Sequence, residues 1–303
     1  KELVDLGDQN PHMIYQGTAA ATHLKVNKRI REACSAGSAD KMENRNLRHG
    51  AGAYRMKSRI ALARKYDDFT RQLSASIDDL VTVAKNGGEE GVMHYWVVAS
   101  CNGGTGSGIF NDVLYYVNML HKFRVSPSNP KVTLVLYMPK YYIDANAQIE
   151  KYPRNAYACL NEIETFQCLA KDREGCMLYH RLALRPDYVT FNDRLPYRPF
   201  EYCIPVDYQT EKETVMGSIE NMYNNTAEML YYGHEGAAAR GFVSFFDNYQ
   251  DGELTMPAKC FNIPMGYVAL RKPVKDFQDY ISIRFQYEIL KYGVIGNPVE
   301  SKE

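Results

Sequence analysis

The chain has 303 residues, of which 45% are apolar and 24% are charged, with 36 basic and 36 acidic side chains. This composition is typical of a globular protein, and the length suffices for one large domain or two ordinary ones. Because the basic and acidic side chains balance, the chain has no excess of positive charge that would attract nucleic acid or a membrane surface, and neither is expected as a partner.

The cysteines and histidines give no sign of a disulfide framework or a metal site. The seven cysteines are odd in number and contain no C-x-x-C pair, and the seven histidines contain no H-E-x-x-H pair. Reduced thiols and a cytoplasmic location are therefore expected. No apolar run reaches the ~18 residues that a membrane helix needs. The first residues, KELVDLGDQNPH, contain neither a signal-peptide pattern nor a starting Met, so we expect the chain to be a fragment.

Helices and strands alternate along the chain. Apolar periodicity predicts helices over 56–86, 107–122, 154–169, 211–232 and 274–290. Apolar runs predict strands over 94–100, 132–139 and 200–207, with a further strand at 265–270, and the run 94–100 is typical of a strand buried on both faces. The pattern predicts an α/β fold with a mainly parallel sheet flanked by helices, in which ligands bind at the carboxyl ends of the strands.

A glycine-rich run lies between the strand 94–100 and the helix that follows it. It reads Asn102-Gly103-Gly104-Thr105-Gly106-Ser107-Gly108. Glycines allow a ligand to approach the backbone closely, and the free N–H groups at a helix start favour an anion. Thr105 and Ser107 add hydroxyl donors. The run therefore predicts a phosphate site, and the alternative is a sharp strand-to-helix turn with packing glycines.

Two common phosphate motifs do not fit this run. No Lys follows the glycines, as the G-x-x-x-x-G-K-[ST] loop requires. The glycines at 104, 106 and 108 alternate, and no acidic residue ends a strand about 20 residues further on, so a dinucleotide fingerprint is also disfavoured.

The run resembles the signature loop of the tubulin/FtsZ superfamily, which holds the phosphates of GTP. The departure is Asn102, where that family usually has glycine. A second segment, Gly50-Ala51-Gly52-Ala53 followed by Arg59, resembles the loop that reaches the γ-phosphate in bacterial members, with Ser58 in place of a glycine. The Asn155-Ala156-Tyr157-Ala158 segment looks closer to a bacterial tubulin-like branch than to tubulin.

Two further segments carry the resemblance. Glu150, Arg154 and Asn155 follow the second strand as the family's ribose loop does, and the resemblance implies that Glu150 and Arg154 contact the sugar and the phosphate edge. Asp207 ends the strand that precedes the long helix, where the family recognises guanine. The alternative for Asp207 is a carboxylate that caps the next helix. The resemblance thus implies a GTP site, with Mg²⁺, formed by Gly50, Ala51, Gly52, Ala53, Asn102, Gly103, Gly104, Thr105, Gly106, Ser107, Glu150, Arg154, Asn155 and Asp207.

The resemblance also implies how GTP hydrolysis would be completed. In the family, an acidic loop after the central helix enters the next subunit and positions the attacking water, so that hydrolysis accompanies head-to-tail assembly into filaments. The corresponding loop here, 233–253, lacks the family's Asn-x-Asp-x-x-Asp pattern but contains Glu235 and Asp247 as catalytic candidates. The alternatives are solvated loop acids and a nucleotide-binding switch or scaffold that does not polymerise.

The predicted domain organisation follows from the same resemblance. Residues 1–232 are expected to form the GTP-binding domain, ending in the central helix, and residues 233–303 to form a loop and the start of a smaller domain. The family's first strand and first phosphate loop are not visible upstream of Gly50, and we expect them to be missing from this chain.

Overall fold

A computed structural model describes residues 51–87, 93–125, 130–145, 149–169, 199–209, 217–234 and 274–291. The chain divides into two compact units, residues 1–265 and 266–303. The boundary predicted after residue 232 stays a prediction. Gly50, Glu235, Asp247 and the predicted strand 265–270 lie outside the described residues.

Within the described residues of the first unit, three parallel strands form a sheet in the order β1-β2-β3. They are β1 (His94–Ser100), β2 (Lys131–Tyr137) and β3 (Tyr202–Val206). Ser100 is in register with Tyr137, and Tyr137 is in register with Val206. The segments that follow the strands therefore leave the sheet at one common edge, and the α/β prediction is confirmed.

The middle strand is buried on both faces, and its neighbour β1 is not. Residues 132–137 of β2 are all buried, whereas Val98 in β1 is 47% exposed between the buried Val97 and Ala99. The prediction of two-sided burial for 94–100 was wrong in this respect. β1 pairs only with β2 among the described strands, and an apolar run by itself does not distinguish a central strand from an outer one.

Helices α1 (Arg55–Arg64) and α2 (Tyr66–Asn86) occupy the predicted helix 56–86. The break falls at Lys65, whose φ of −94° and ψ of 17° are not helical. The helical pattern continues through this position, so the sequence does not reveal the break. The predicted helix stop is correct, since α2 ends at Asn86 and Gly87 follows as its C-cap.

Helix α3 (Gly106–Arg124) connects β1 to β2 and contributes to both large apolar clusters of the core. Phe110, Leu114 and Val117 join one apolar cluster with the strands, and Tyr115 and Tyr116 join a second cluster with α1 and α2. Such burial on almost all sides holds the start of the helix firmly against the end of β1.

Between β2 and β3 lie α4 (Lys140–Ala145) and α5 (Lys151–Leu169). The sequence predicted a loop where α4 lies, and it placed the start of α5 at Arg154. α4 has only six residues and none of them is buried, which leaves little periodicity to detect.

Helix α6 (Ile219–His234) begins eight residues after the predicted start of the helix 211–232. Gly217 has a φ of +74°, and the backbone N–H of Asn221 donates to the Ser218 hydroxyl at 3.1 Å, so Ser218 caps the helix. In the second unit, α7 (Val274–Ile289) confirms the predicted last helix.

Candidate functional site

The loop after β1 leads directly into the start of α3. Thr105 occupies the N-cap position, its side chain is exposed, and it makes no capping hydrogen bond. Its carbonyl accepts from the N–H groups of Gly108 and Ile109, both at 3.0 Å. An N-cap without a side-chain partner leaves the first N–H groups of the helix open to an anion.

Three glycines of this loop are required by packing. A Cβ at Gly104 would lie 2.8 Å from both the Ala51 Cβ and the Tyr54 backbone nitrogen, and one at Gly106 would lie 2.8 Å from the Ser100 backbone nitrogen. A Cβ at Gly108 would meet the Ser58 hydroxyl and the Arg55 carbonyl. None of the loop glycines has a positive φ. Close approach, rather than unusual backbone angles, explains these three positions.

Gly103 differs from the other three. A Cβ there would meet only the Ser100 hydroxyl, at an ordinary 3.4 Å. Packing among the described residues therefore does not explain this glycine, and in the described part of the chain the space beside it is open to a ligand.

The segment 51–54 lies directly against the glycine loop. Gly52 and Ala53 have φ values of +58° and +59°, and the Tyr54 N–H donates to the Ala51 carbonyl at 3.0 Å. The structure thus brings together two of the four segments that the sequence predicted to share a site. Gly50 itself is outside the described residues.

Asn155 in the first turns of α5 joins both loops. Its Nδ2 donates to the Ala53 carbonyl at 2.8 Å and to the Asn102 carbonyl at 3.1 Å. Both amide hydrogens are used, so one side chain fixes the spacing of the two loops.

Asn102 places an unpartnered polar atom within this loop. The residue is 1% exposed, and its side-chain Oδ1 has no hydrogen-bond partner among the described residues. A buried amide without partners costs about 1–3 kcal/mol, so a group that completes its hydrogen bonding would be stabilised there. The oxygen is an acceptor, so it would take an O–H or N–H of a ligand, whereas the uncapped start of α3 is suited to an anion.

The Ser107 hydroxyl has a structural partner. It donates to the Gly103 carbonyl, and the residue is fully buried. The other predicted hydroxyl donor, Thr105, is the one that faces out of the loop.

Arg55 and Ser58, for which the sequence analysis proposed no contacts, hold α1 against the start of α3. Arg55 donates to the Ser107 carbonyl from Nε at 3.0 Å and from Nη2 at 2.8 Å, and Nη2 also bonds Glu162 of α5. The Ser58 hydroxyl lies 2.7 Å from the Gly104 carbonyl. Their position directly after the segment 50–53 is a weak signal, since the partners lie far along the chain.

Arg59 forms a bidentate salt bridge with Asp112 of α3. Nε and Oδ2 are 2.8 Å apart, Nη2 and Oδ1 are 3.0 Å apart, and Asp112 is 1% exposed. Burial lowers the pKa of Arg59, but the facing carboxylate raises it further, so the net shift is upward and the guanidinium stays charged. This pair fixes the helices that frame the loops.

Glu150 and Arg154 lie at the surface. Their side chains are 83% and 77% exposed, and they face each other at 3.6 Å. Both are at the N-terminal end of α5, near Asn155, but among the described residues neither contacts the segment 51–54 or the glycine loop.

Asp207 follows β3 at the same edge of the sheet. Its side chain is exposed, and Oδ1 accepts from the Tyr208 N–H at 2.7 Å. Burial first, and the charge of Asp207 among the smaller causes, raises the pKa of Cys101 to about 12. The next described helix begins only at Ile219, so Asp207 does not cap it.

Several tyrosine side chains lie near Asp207 and contact one another. The Tyr142 and Tyr223 hydroxyls are 2.6 Å apart, the Tyr137 and Tyr223 rings are 4.9 Å apart, and Tyr141 packs against Tyr208. Burial, and then the hydrogen bond with Tyr223, raises the pKa of Tyr142. This edge therefore offers aromatic surface beside one exposed carboxylate.

The described part of the chain contains no group of three or more His, Cys, Asp or Glu side chains arranged to hold a metal ion. Cys101, Cys159 and Cys203 are free and buried. Within the described ranges, no helix combines the length and the apolar character needed to cross a membrane.

One comparison with known proteins identifies a family. A family model described as "Tubulin like" matches residues 34–291, which is well over half of the chain. Neither the curated proteins nor the solved structures include a match. The matched range spans both loops, Asn155 and Asp207, and the chain therefore belongs to the tubulin-like family.

Proposed function

We propose that this protein binds GTP where the glycine loop meets the start of α3. The observation that carries the proposal is the uncapped N-terminus of α3, with an exposed Thr105 and the open space at Gly103, held against the segment 51–54. Free N–H groups and a positive helix end are suited to phosphate oxygens. The family match supports a nucleotide as the source of the phosphates.

The nucleoside end would lie toward Asp207. Guanine presents two N–H donors on one edge, and a single carboxylate accepts both. Adenine lacks this pair of donors, so Asp207 would favour GTP over ATP. The nearby tyrosines provide apolar surface for a base, and Glu150, Arg154 and Asn155 are proposed for the sugar side.

The proposed reaction is phosphoryl transfer from GTP to water, which requires positioning and charge stabilisation rather than a covalent intermediate. Thr105 and the backbone N–H groups of 103–107 would hold the phosphate chain in place. Mg²⁺ bound to the phosphates would neutralise charge, and its coordination by phosphates and water is compatible with the few acidic groups near the loop.

Hydrolysis would be completed by a second subunit. We propose that Glu235 or Asp247 from the segment 233–253 of a neighbouring copy positions the water. Such a head-to-tail contact does not close on itself and produces filaments. A cytoplasmic location stays a prediction from the cysteine pattern.

A second candidate is a GTP-bound switch or scaffold that neither hydrolyses nor polymerises. The observation that favours it is the absence of the Asn-x-Asp-x-x-Asp pattern from the segment 233–253.

GTP turnover measured over a range of protein concentrations separates the two. Specific activity that rises with concentration, and falls in Asp247→Asn or Glu235→Gln, supports a site completed by a neighbour. GTP binding with negligible turnover at every concentration supports the switch. Absence of GTP binding contradicts both.

A further inference from the structure

Lys151 is the basic side chain of α5 that contacts the segment 51–54. Its Nζ lies 3.3 Å from the centre of the Tyr54 ring, and the Lys57 Nζ lies 4.6 Å from the same centre. Tyr54 directly follows Ala53, whose carbonyl is bound by Asn155. The Lys151 ammonium is therefore beside the junction of the two loops.

The geometry of α5 separates Lys151 from Arg154. Lys151 and Asn155 are four residues apart, so they lie on one face of the helix, and Asn155 binds both loops. Arg154 is 77% exposed and faces Glu150. The face that meets the loops thus carries Lys151 rather than Arg154.

The basic side chains near the junction of the two loops differ in whether a carboxylate among the described residues pairs with them. Arg55 is paired with Glu162 and Arg59 with Asp112. Lys151 is only partly exposed, and among the described residues its ammonium contacts the Tyr54 ring without a carboxylate at ion-pair distance. A half-buried cation without a counter-ion favours an anionic ligand beside it.

A separate observation also indicates a ligand at this junction. The side-chain Oδ1 of Asn102, in a residue 1% exposed, has no hydrogen-bond partner among the described residues, and the carbonyl of the same residue accepts from Asn155. This oxygen is an acceptor, so it would take a hydrogen bond from an O–H or N–H of the ligand, while the Lys151 ammonium is suited to its negative charge.

We propose that Lys151 is a phosphate-binding residue of this site and makes the phosphate contact that the resemblance implied for Arg154. The inference rests on the proposed nucleotide site. Lys151 binds the phosphate that faces the segment 51–54, and Tyr54 orients its ammonium through the ring face. An ammonium gains more from a triphosphate than from a diphosphate because the triphosphate carries more negative charge.

The test compares the binding of GTP and of GDP by the full chain, with thermal melting to check folding. Lys151→Ala is expected to weaken GTP binding by roughly tenfold or more, as for the loss of a charged hydrogen bond, and to weaken GDP binding less. Lys151→Arg should restore most of the GTP affinity. The affinity of Lys151→Ala should also depend less on salt concentration.

Two matched variants complete the design. Lys85→Ala removes the same charge from the exposed end of α2 and should leave both affinities unchanged. Arg154→Ala should weaken GTP binding less than Lys151→Ala does. Lys151→Gln replaces Lys151→Ala if the alanine variant does not fold.

Three results would overturn the inference. An unchanged GTP affinity in Lys151→Ala removes Lys151 from the site. An equal loss for GTP and GDP, with an unchanged salt dependence, shows that Lys151 only packs against Tyr54. A larger loss in Arg154→Ala returns the role to Arg154. A wild-type protein that binds neither nucleotide contradicts the proposed function itself, which is a different outcome from these three.

Discussion

The side-chain amide of Asn155 donates a hydrogen bond to the backbone carbonyl of Ala53, with 2.8 Å between Nδ2 and O. The same nitrogen also reaches the carbonyl of Asn102. Two loops that lie far apart in the sequence are therefore held by one side chain, and the phosphate site that we propose depends on their spacing.

Replacing Asn155 tests this dependence. Asn155→Asp removes both donors and places a carboxylate against two carbonyl oxygens, so we expect GTP affinity to fall by roughly tenfold or more. Titration of GTP by calorimetry measures the effect. Asn161→Ala, at an exposed position of the same helix, is the control and should bind as the wild type does. Unaltered binding by Asn155→Asp would show that the loop spacing is set elsewhere.

Substitutions at the four loop glycines should differ in their effect on stability, according to whether a Cβ has room. Gly106→Ala forces a Cβ against the backbone of Ser100 at 2.8 Å, and such overpacking typically lowers the free energy of unfolding by about 1–3 kcal/mol. Gly103→Ala should leave stability nearly unchanged, since its Cβ has room, and should weaken GTP binding by obstructing the open space. Urea unfolding and GTP titration distinguish the two variants. Similar stability losses in both would contradict the packing explanation.

The Arg59–Asp112 pair should contribute strongly to stability. Arg59→Ala leaves the Asp112 carboxylate, 1% exposed, without its partner, and breaking a buried pair in this way typically costs about 3–5 kcal/mol. Arg71→Ala removes an exposed partner of Asp68 and should cost less than about 1 kcal/mol. Urea unfolding curves measure both. A loss in Arg59→Ala as small as that in Arg71→Ala would show that the pair is solvated.

Ala53 occupies a backbone conformation that glycine adopts more easily. Its φ of +59° costs a residue with a Cβ about 1–2 kcal/mol, part of which is offset because glycine loosens the unfolded chain. Ala53→Gly should therefore raise the free energy of unfolding by about 0.5–1 kcal/mol. Chemical denaturation measures this, and a destabilised Ala53→Gly would contradict the left-handed geometry of the segment.

The buried thiols should react slowly in the folded protein. Burial, the largest cause, raises the pKa of Cys101 and that of Cys203 to about 12. The thiolate is the reactive form, so at mildly alkaline pH these thiols should be alkylated only after the protein unfolds. The unfolded chain releases these protons first, so the free energy of unfolding should fall as the pH rises above the ordinary thiol pKa of 9.0. Peptide mass analysis after brief alkylation checks the protection, and rapid native labelling of Cys101 would contradict it.

Local signals in the sequence predicted much of the fold. The bounds of β1 and the C-terminal end of α2 were predicted correctly, because a β-branched apolar run and a Gly-Gly stop act within a few residues. The break at Lys65 and the exposed face of β1 were not predicted. Both depend on which elements pack together, and that information is spread along the chain.

The site follows the same rule. The glycine run was recognisable in the sequence as a candidate phosphate loop, because all of its residues lie within one short segment. The reason for three of its glycines was not foreseen, because Ala51, Ser58 and Ser100 approach them only in the folded chain. The contacts of Arg55 and Lys151 also depend on tertiary structure. In the sequence, Arg55 closely follows the segment 51–54 and Lys151 lies four residues before Asn155, and these positions are only weak signals.

Equilibrium binding of GTP, with Mg²⁺, to the wild type and to Thr105→Val tests the central claim most directly. Thr105 is exposed at the uncapped start of α3, and valine keeps its shape while removing the hydroxyl. The account predicts saturable binding of one GTP per wild-type chain, weaker binding of ATP, and a GTP affinity in Thr105→Val reduced by roughly fivefold or more, as for the loss of one hydrogen bond. A folded wild-type protein that shows no saturable GTP binding, or a Thr105→Val variant that binds as tightly as the wild type, would contradict it.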